Sequence, residues 1–289
     1  MISNSLVSIE RELAGYKTWL QEQGISEATQ RAYGSRVRQL LVYLERERGS
    51  LEVLREERAF LKAIFDYSIY LKETVKMRAG TLNNSLTAAE SFSRYLGFGG
   101  LNLASLREST DFSPGRTLSS EEASRFYQAA ERRQSCRDKA IAMLFLKTGI
   151  KLGECNALDV EDVVLAEQSG VLSVHGGEKK PARKLVLDEE TRDALAAWLS
   201  QRSQSVGSGK EKALFLNARG DRLAQAGIDF IVRSIGWNAN LNLSCQMLRR
   251  TFLVRHLQQG QTTEHLAQLV GHKTPQATRR YSVGYVLGG

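Results

Sequence analysis

Four side chains in the second half of this 289-residue chain have the types and spacing that chemistry on a phosphodiester requires. Tyr281 lies nine positions after His272, and Arg249 and Lys151 lie upstream of both. A tyrosine phenolate can attack phosphorus and conserve the energy of the broken bond in a covalent ester. Cations around the phosphate stabilise the charge of the transition state. We therefore predict that Tyr281 is a nucleophile held within a cage of positive charge.

Arg249 is predicted to lie on a helix that starts near Ser244. Gln246 and Arg249 are three positions apart, so they share one face of that helix. The planar guanidinium of Arg249 can donate two parallel hydrogen bonds to a phosphate. The amide of Gln246 can also hydrogen-bond a phosphate oxygen, but it cannot carry a proton at neutral pH. Any acid–base role at position 246 must therefore pass to another side chain or be lost.

Local patterns indicate how the other candidates are positioned. Thr274 and Pro275 have the types favoured at the N-cap and the first position of a helix that leads to Tyr281. A helix is predicted over about 138–147, and the turn that contains Lys151 follows it. The predicted helix before Tyr281 and the predicted turn that contains Lys151 are therefore the elements expected to position these two side chains.

A β-hairpin is predicted between the two groups of helices. The residues at 171–174 and at 184–187 have the composition of two short strands, and a lysine- and glycine-rich turn lies between them. Ser119 or Ser120 is a candidate N-cap for the helix that opens this part of the chain, with glutamates in its first turn. After the hairpin the pattern returns to helix.

The first hundred residues have the apolar spacing of helices. Gly24 ends the first helix, and Ser26 is a candidate N-cap for the second. Glycines at 97–100 end the last one, and the Pro-Gly pair within 107–116 indicates an interdomain linker. The predicted helices cover about 5–23, 26–44, 53–73 and 81–96.

Composition excludes several classes of protein. The formal net charge of +8 and the pI of about 9.4 favour a polyanionic partner. The three cysteines lack C-x-x-C spacing, so they predict buried thiols in a reducing compartment instead of disulfides or zinc ligands. Neither the other three histidines nor the carboxylates have the arrangement of a metal centre. No signal peptide or membrane-spanning stretch is evident, so we expect a cytoplasmic protein.

Three runs of the second half resemble the motifs of the tyrosine recombinase (phage integrase) family. They are Thr-Gly-Ile-Lys-Leu-Gly-Glu at 148–154, Gln-Met-Leu-Arg at 246–249, and Gly-His at 271–272 with Tyr281 downstream. Thr29 with Tyr33 in the first half is loosely similar to the N-terminal domain of the same family. The resemblance covers nearly the whole chain and is of the compact Xer-like or transposon-resolution type.

The resemblance implies a mainly α fold of two domains. A helical N-terminal core-binding DNA domain would occupy 1–106, and a linker would occupy 107–116. The catalytic domain, at 117–289, would be mixed α/β with a small antiparallel sheet. The family also carries a lysine on its hairpin that reaches the DNA. On this basis Lys180 is the proposed general acid for the leaving 5′ oxygen, with Lys179 as its substitute.

Two catalytic positions depart from the family pattern. Lys151 stands where the family has an arginine in Thr-Gly-x-Arg-x-x-Glu, and Gln246 stands where it usually has a histidine. Lysine provides a point charge without the planar fork of arginine. The sequence is compatible with three interpretations: a natural variant that tolerates lysine, an attenuated protein, or an inactive homologue.

The activity implied by the resemblance is site-specific DNA recombination. Tyr281 would cut one strand, leaving a 3′-phosphotyrosine and a free 5′ hydroxyl, and four identical protomers would act on paired sites in double-stranded DNA without a metal or nucleotide cofactor. The alternatives are a type IB topoisomerase-like enzyme, which needs no second site, and a non-catalytic DNA-binding protein on the same fold. Integration, inversion and resolution are not distinguished. The candidate phosphate contacts are Arg36, Arg38, Arg78, Arg233 and Lys273.

Overall fold

The chain divides into two compact units, Met1–Asp111 and Phe112–Gly289. The computed structural model describes residues 2–99, 101–110, 115–176, 182–204, 209 and 211–282, with side chains from residue 7 onward. The division falls within the segment predicted as a linker, 107–116. No helix in the described ranges is long and apolar enough to cross a membrane.

The first unit is a helical bundle around its own apolar core. Its aromatic centre is formed by Tyr16, Phe60 and Phe92, all of which are less than 2% exposed. Ser26 caps the second helix by accepting a hydrogen bond from the Thr29 amide, which confirms the predicted start. The α-helices are α1 (Ile2–Glu22), α2 (Glu27–Arg48), α3 (Glu57–Ile69) and α4 (Ala79–Tyr95).

The third predicted helix, 53–73, is wrong as a single element. A 3₁₀ turn at Glu52–Arg55 precedes α3, and a π-helical turn at Tyr70–Thr74 follows it. Glu56 between the first two has an extended backbone (φ −133°, ψ 124°), which cannot continue a helix. Apolar periodicity persists through all three pieces, so the sequence pattern does not reveal the interruption.

The second unit consists of helices around one buried helix and a small sheet. Helix α6 is buried along most of its length, since residues 140–145 are each 0% exposed. Of the two predicted N-cap candidates, Ser119 caps α5, and it also forms a capping box with Glu122. The α-helices are α5 (Ser120–Glu131), α6 (Cys136–Thr148), α7 (Leu152–Ala157), α8 (Glu189–Ser203), α9 (Gln225–Asn238), α10 (Cys245–Gln258), α11 (Thr263–Val270) and α12 (Pro275–Arg279).

The sheet has three antiparallel strands in the order β1 (Val163–Leu165), β2 (Gly170–Val174) and β3 (Arg183–Leu187). The last two were predicted, whereas β1 is too short for a strand pattern to register in the sequence. Leu172 pairs with Leu185 across β2 and β3, and both side chains are buried. The prediction of a mainly α fold with a small antiparallel sheet is therefore confirmed.

Candidate active site

A cleft of about 680 Å³ in the second unit collects most of the predicted catalytic residues. Lys151, Gln246, Arg249 and Tyr281 all line it, although they are separated by up to 130 positions in the chain. Arg233 of α9 lines the same cleft. The elements that meet here are the turn before α7, the first turns of α9 and α10, and the end of α12.

Arg249 is a buried side chain that is held by two backbone carbonyls. Ser244 caps α10 by accepting from the Met247 amide at 3.3 Å, which confirms the predicted start of that helix. The Arg249 side chain is buried, and its guanidinium donates to the carbonyls of Gly149 (2.5 Å) and Val270 (2.7 Å). Burial lowers its pKa to about 10, so it stays charged at neutral pH.

The turn that carries Lys151 requires a glycine. Gly149 has φ +61°, and a Cβ there would lie 2.6 Å from Cδ1 of Phe252. The Lys151 amide donates to Oε2 of Glu154 at 3.0 Å, as at a helix N-cap. The Lys151 ammonium donates to the Gly271 carbonyl at 3.0 Å and lies 3.3 Å from Oε1 of Glu154. Lysine at this position is therefore fitted to specific partners.

Arg183, at the start of β3, belongs to the same cluster and was missed by the sequence analysis. Its Nη1 and Nη2 donate to Oε1 and Oε2 of Glu154 at 3.2 and 2.7 Å. Its Nε donates to the Leu269 carbonyl at 2.8 Å. Although burial would raise it, hydrogen bonds from Arg183 and from the Lys151 amide lower the pKa of Glu154 to about 2. Glu154 is thus an anionic counter-ion among the cations.

The C-terminal end of α11 is the common anchor of three cations. The carbonyls of residues 269–271 accept, in order, from Arg183, Arg249 and Lys151. The last carbonyls of a helix lack intrahelical partners and carry its negative dipole end, so they suit cationic donors. This helix end therefore positions three positive charges.

His272 and Tyr281 lie on the segment that follows this anchor. Nδ1 of His272 is 2.8 Å from Oγ1 of Thr278, a fully buried side chain. The rings of His272 and Tyr281 are stacked, with centroids 6.2 Å apart. Thr274 occupies the N-cap position of α12 without the side-chain capping bond that the sequence suggested, whereas Pro275 is in the first turn as predicted.

We expect His272 to be neutral at physiological pH. Burial, followed by the charges of Arg249, Lys151 and Arg183, lowers its pKa from 6.5 to about 4. Between pH 6.5 and about 4 the unfolded chain binds a proton that the folded protein rejects, so this residue makes folding less stable as the pH falls through that window. An NMR titration of the imidazole nitrogens of the DNA-free protein measures the pKa directly.

The His272→Gln variant identifies the resonance, because one imidazole signal disappears. A midpoint near pH 4 agrees with the geometry. A midpoint at 6.5 or above would mean that the surrounding cations do not act on the ring.

The other predicted site residues have varied surroundings. Gln246 is exposed on the cleft side of α10. Lys179 and Lys180, the candidates for the general acid, lie outside the described residues, as does Pro181. No cluster of histidine, cysteine, aspartate or glutamate that could hold a metal occurs in the part of the chain that the structure describes. Cys155 and Cys245 are buried free thiols as predicted, whereas Cys136 is only partly buried.

The five predicted phosphate contacts are not equally available. Arg233 already forms an ion pair with Asp229 (2.6 Å), and Arg38 forms one with Glu10 (2.7 Å). Arg36 is half-buried, and its guanidinium donates to the Ser85 hydroxyl at 3.2 Å. By contrast, the side chains of Arg78 and Lys273 are exposed. Arg233, Arg38 and Arg36 would each have to give up a present partner to bind a phosphate, and that exchange has an energetic cost.

Known structures have the same fold at low sequence identity. The XerH site-specific recombinase in a post-cleavage complex with palindromic difH substrate aligns with a TM-score of 0.74 at 18% identity, covering 98% of this chain and 86% of that one. A lambda integrase (75–356) dimer bound to a COC′ core site aligns with a TM-score of 0.62 at 16% identity, covering 93% of this chain and 96% of that one. These likenesses establish the fold.

Sequence comparison finds relatives that are named tyrosine recombinases. Tyrosine recombinase XerC of Azotobacter vinelandii is 34% identical over 147 residues, 50% of this chain and 48% of that protein. The chain thus spans about half the length of the first relatives it matches. XerC of Herpetosiphon aurantiacus is 27% identical over 95% of this chain and 90% of that protein. The model of the phage integrase family matches residues 116–284, which contain every residue of the cleft described above. The chain belongs to the phage integrase family.

Proposed function

We propose that this protein is a site-specific DNA recombinase that cuts and rejoins strands through a 3′-phosphotyrosine intermediate. The observation that carries the proposal is the meeting of Tyr281 with Arg249 and Lys151 in one cleft, with His272 stacked on the tyrosine. A nucleophile beside fixed cations is what phosphoryl transfer requires. The XerH and lambda integrase structures, with the same fold, were each solved with a DNA site.

In the proposed reaction the Tyr281 oxygen attacks the scissile phosphorus and the 5′ oxygen leaves. Arg249 donates N–H groups that are not used by the Gly149 and Val270 carbonyls to the non-bridging oxygens, and Lys151 adds a point charge. His272, neutral in the free protein, accepts the Tyr281 proton and, once protonated, hydrogen-bonds the phosphate. Lys180 protonates the leaving 5′ oxygen, and Gln246 contributes a hydrogen bond without transferring a proton. Attack of a 5′ hydroxyl from a partner strand reverses the step and releases Tyr281.

The proposed partners are double-stranded DNA with paired recombination sites and three further copies of the chain. The unit at 1–106 acts as the core-binding domain, 107–116 as the linker and 117–289 as the catalytic domain. The basic charge of +8 supports a DNA partner. Free thiols at Cys155 and Cys245 are compatible with work in the reducing cytoplasm.

A covalent adduct separates this proposal from a non-catalytic DNA-binding protein, which the departures at Lys151 and Gln246 favour. A binding site is first selected from a random duplex library, and a nick is then placed beside each candidate scissile phosphate. The nick lets the cut strand diffuse away, so an enzyme accumulates a protein–DNA adduct and a binder does not. Relaxation of supercoiled DNA that lacks the selected site would instead indicate the topoisomerase-like alternative.

Lys151→Arg is expected to leave the single-turnover cleavage rate level or to lower it by up to about tenfold, equivalent to ~1.4 kcal/mol. Arginine is the usual family residue, but here Glu154 is already engaged by the fork of Arg183. A second guanidinium would crowd that carboxylate and lose the lysine contact to the Gly271 carbonyl. The single-turnover cleavage rates of wild type and Lys151→Arg on the same nicked site test this expectation. A clear increase would mean that Lys151 is a weakened substitute instead of an adapted residue.

DNA affinity is expected to fall steeply with salt. Each phosphate neutralised in duplex DNA contributes about −0.9 to the slope of log K against log salt, so the five predicted cations give a slope of about −4.5. Replacing the exposed Arg78 or Lys273 by glutamine should reduce the steepness by about 0.9 each. Lys273→Arg is the matched control, because it keeps the charge and should keep the slope. A flat salt response would rule out an interface dominated by phosphate contacts.

A further inference from the structure

Arg183 is a largely enclosed cation to which the proposed chemistry gives no task. It lies on the same face of β3 as Leu185 and Leu187, both of which are buried. Its side chain is only 10% exposed, whereas that of Lys151 is 31% exposed and lines the cleft. Arg183 is therefore too enclosed to take a DNA phosphate itself, and its effect must pass through a neighbour.

Glu154 is the neighbour through which Arg183 can act. Both carboxylate oxygens accept from the two ends of the Arg183 guanidinium, and one of them also lies 3.3 Å from the Lys151 ammonium. The carboxylate is 14% exposed, so water screens it weakly. Two cations thus share one anion beside a cleft whose proposed substrate is also an anion.

The Glu154 carboxylate and a DNA phosphate compete for the Lys151 ammonium, and removal of the Arg183 charge would change that competition. A carboxylate left without its guanidinium partner would attract the ammonium more strongly, because charge-assisted pairs are the strong ones in a poorly solvated site. It would also repel an incoming phosphate. Lys151 would then be held as the counter-ion of Glu154 and be less able to turn toward the substrate.

We propose that Arg183 is a positioning residue that neutralises Glu154 and so leaves the Lys151 ammonium available to the scissile phosphate. Its Nε bond to the Leu269 carbonyl fixes the guanidinium against the end of α11, where Lys151 is also anchored. This inference rests on the proposed function for its substrate and deepens it.

The test compares wild type, Arg183→Gln, Glu154→Gln, the double variant and Arg183→Lys. The first readout is single-turnover adduct formation on the nicked site. Arg183→Gln is expected to slow it by about 10- to 100-fold, by analogy with the loss caused by removing a partner that orients a metal ligand. Arg183→Lys keeps the charge and should retain most of the rate. The decisive measurement is the rate of adduct formation by the double variant, because its neutral amide at position 154 no longer attracts the Lys151 ammonium.

Adding Glu154→Gln to Arg183→Gln is expected to restore the rate to within a few-fold of the Glu154→Gln variant alone. If Arg183 had only a structural role, the double variant would lose at least as much of the cleavage rate as the two single substitutions together. That outcome overturns the proposal. Should Arg183→Gln alone fail to fold, the double variant leaves no buried charge unpaired and still decides the question. High activity in the double variant supports the proposal, and activity as low as background contradicts it.

A second readout keeps the inference separate from the proposed function. In a Tyr281→Phe background, the affinity for the selected duplex is measured at low salt for the same series. Arg183→Gln should weaken binding and Glu154→Gln should reverse that loss, whether or not wild type cuts DNA. Absence of a wild-type adduct would refute the recombinase proposal, whereas unchanged affinity across the series would refute the role of Arg183.

Discussion

Tyr281→Phe is expected to abolish the covalent protein–DNA adduct while noncovalent binding is nearly unchanged. The substitution removes the attacking oxygen and keeps the ring that stacks on His272. The same ring packs against a buried apolar cluster of Phe252, Leu253, Leu266 and Val270. Removal of a nucleophile in a measured hydrolase costs about 10⁶ in turnover, so a loss of at least about 10³-fold is a conservative expectation. Adduct yield on the nicked site and duplex affinity by gel shift are measured side by side.

Tyr285→Phe is the control for this experiment. Tyr285 lies outside the described residues and is the next tyrosine along the chain. Its substitution should leave the adduct intact. If Tyr281→Phe gave an adduct of normal yield and Tyr285→Phe gave none, the nucleophile would have been assigned to the wrong residue.

Arg249→Lys is expected to slow cleavage by about 10²–10³-fold, or ~2.7–4 kcal/mol, the cost of losing one fixed donor to a developing oxyanion. Lysine keeps the charge but cannot serve the Gly149 and Val270 carbonyls and two phosphate oxygens at once. The single-turnover rate with saturating protein isolates this effect from binding. Since Arg249 is buried, the thermal midpoint is recorded as well.

Arg255→Lys, on the same helix, is the matched control. Arg255 donates to the Ser119 carbonyl at 3.1 Å and does not line the cleft. Its substitution should leave the cleavage rate unchanged. A folded Arg249→Lys protein that cleaves as fast as wild type would show that Arg249 is an anchor for the two turns and not a phosphate ligand.

The parts of this architecture that depend on local chemistry were predictable. Capping side chains at Ser26, Ser119 and Ser244 mark where three helices begin. Apolar spacing locates the helices, and the alternation at 184–187 locates β3. The spacing of His272 and Tyr281, with the upstream cations, indicated which distant residues share a cleft.

The parts that depend on pairing across the chain were not predictable. Arg183 and Glu154 are 29 positions apart, and nothing local joins them. One signal was available in the sequence. Arg183 is two and four positions before the buried residues Leu185 and Leu187, so it lies on the same face of the strand. A charge on that inner face needs a counter-ion. The anchoring of three cations on the carbonyls of 269–271 left no mark in side-chain types, because backbone groups are the same at every position.

Mass spectrometry of the trapped adduct shows whether Tyr281 becomes joined to a 3′ phosphate of DNA. Wild-type protein is incubated with the nicked site, digested with protease and nuclease, and the modified peptide is sequenced. We expect a nucleotide linked through its 3′ phosphate to Tyr281, with a free 5′ hydroxyl on the released strand. A linkage to another residue, a 5′-phosphate linkage, or no adduct under conditions where the duplex is fully bound would contradict it.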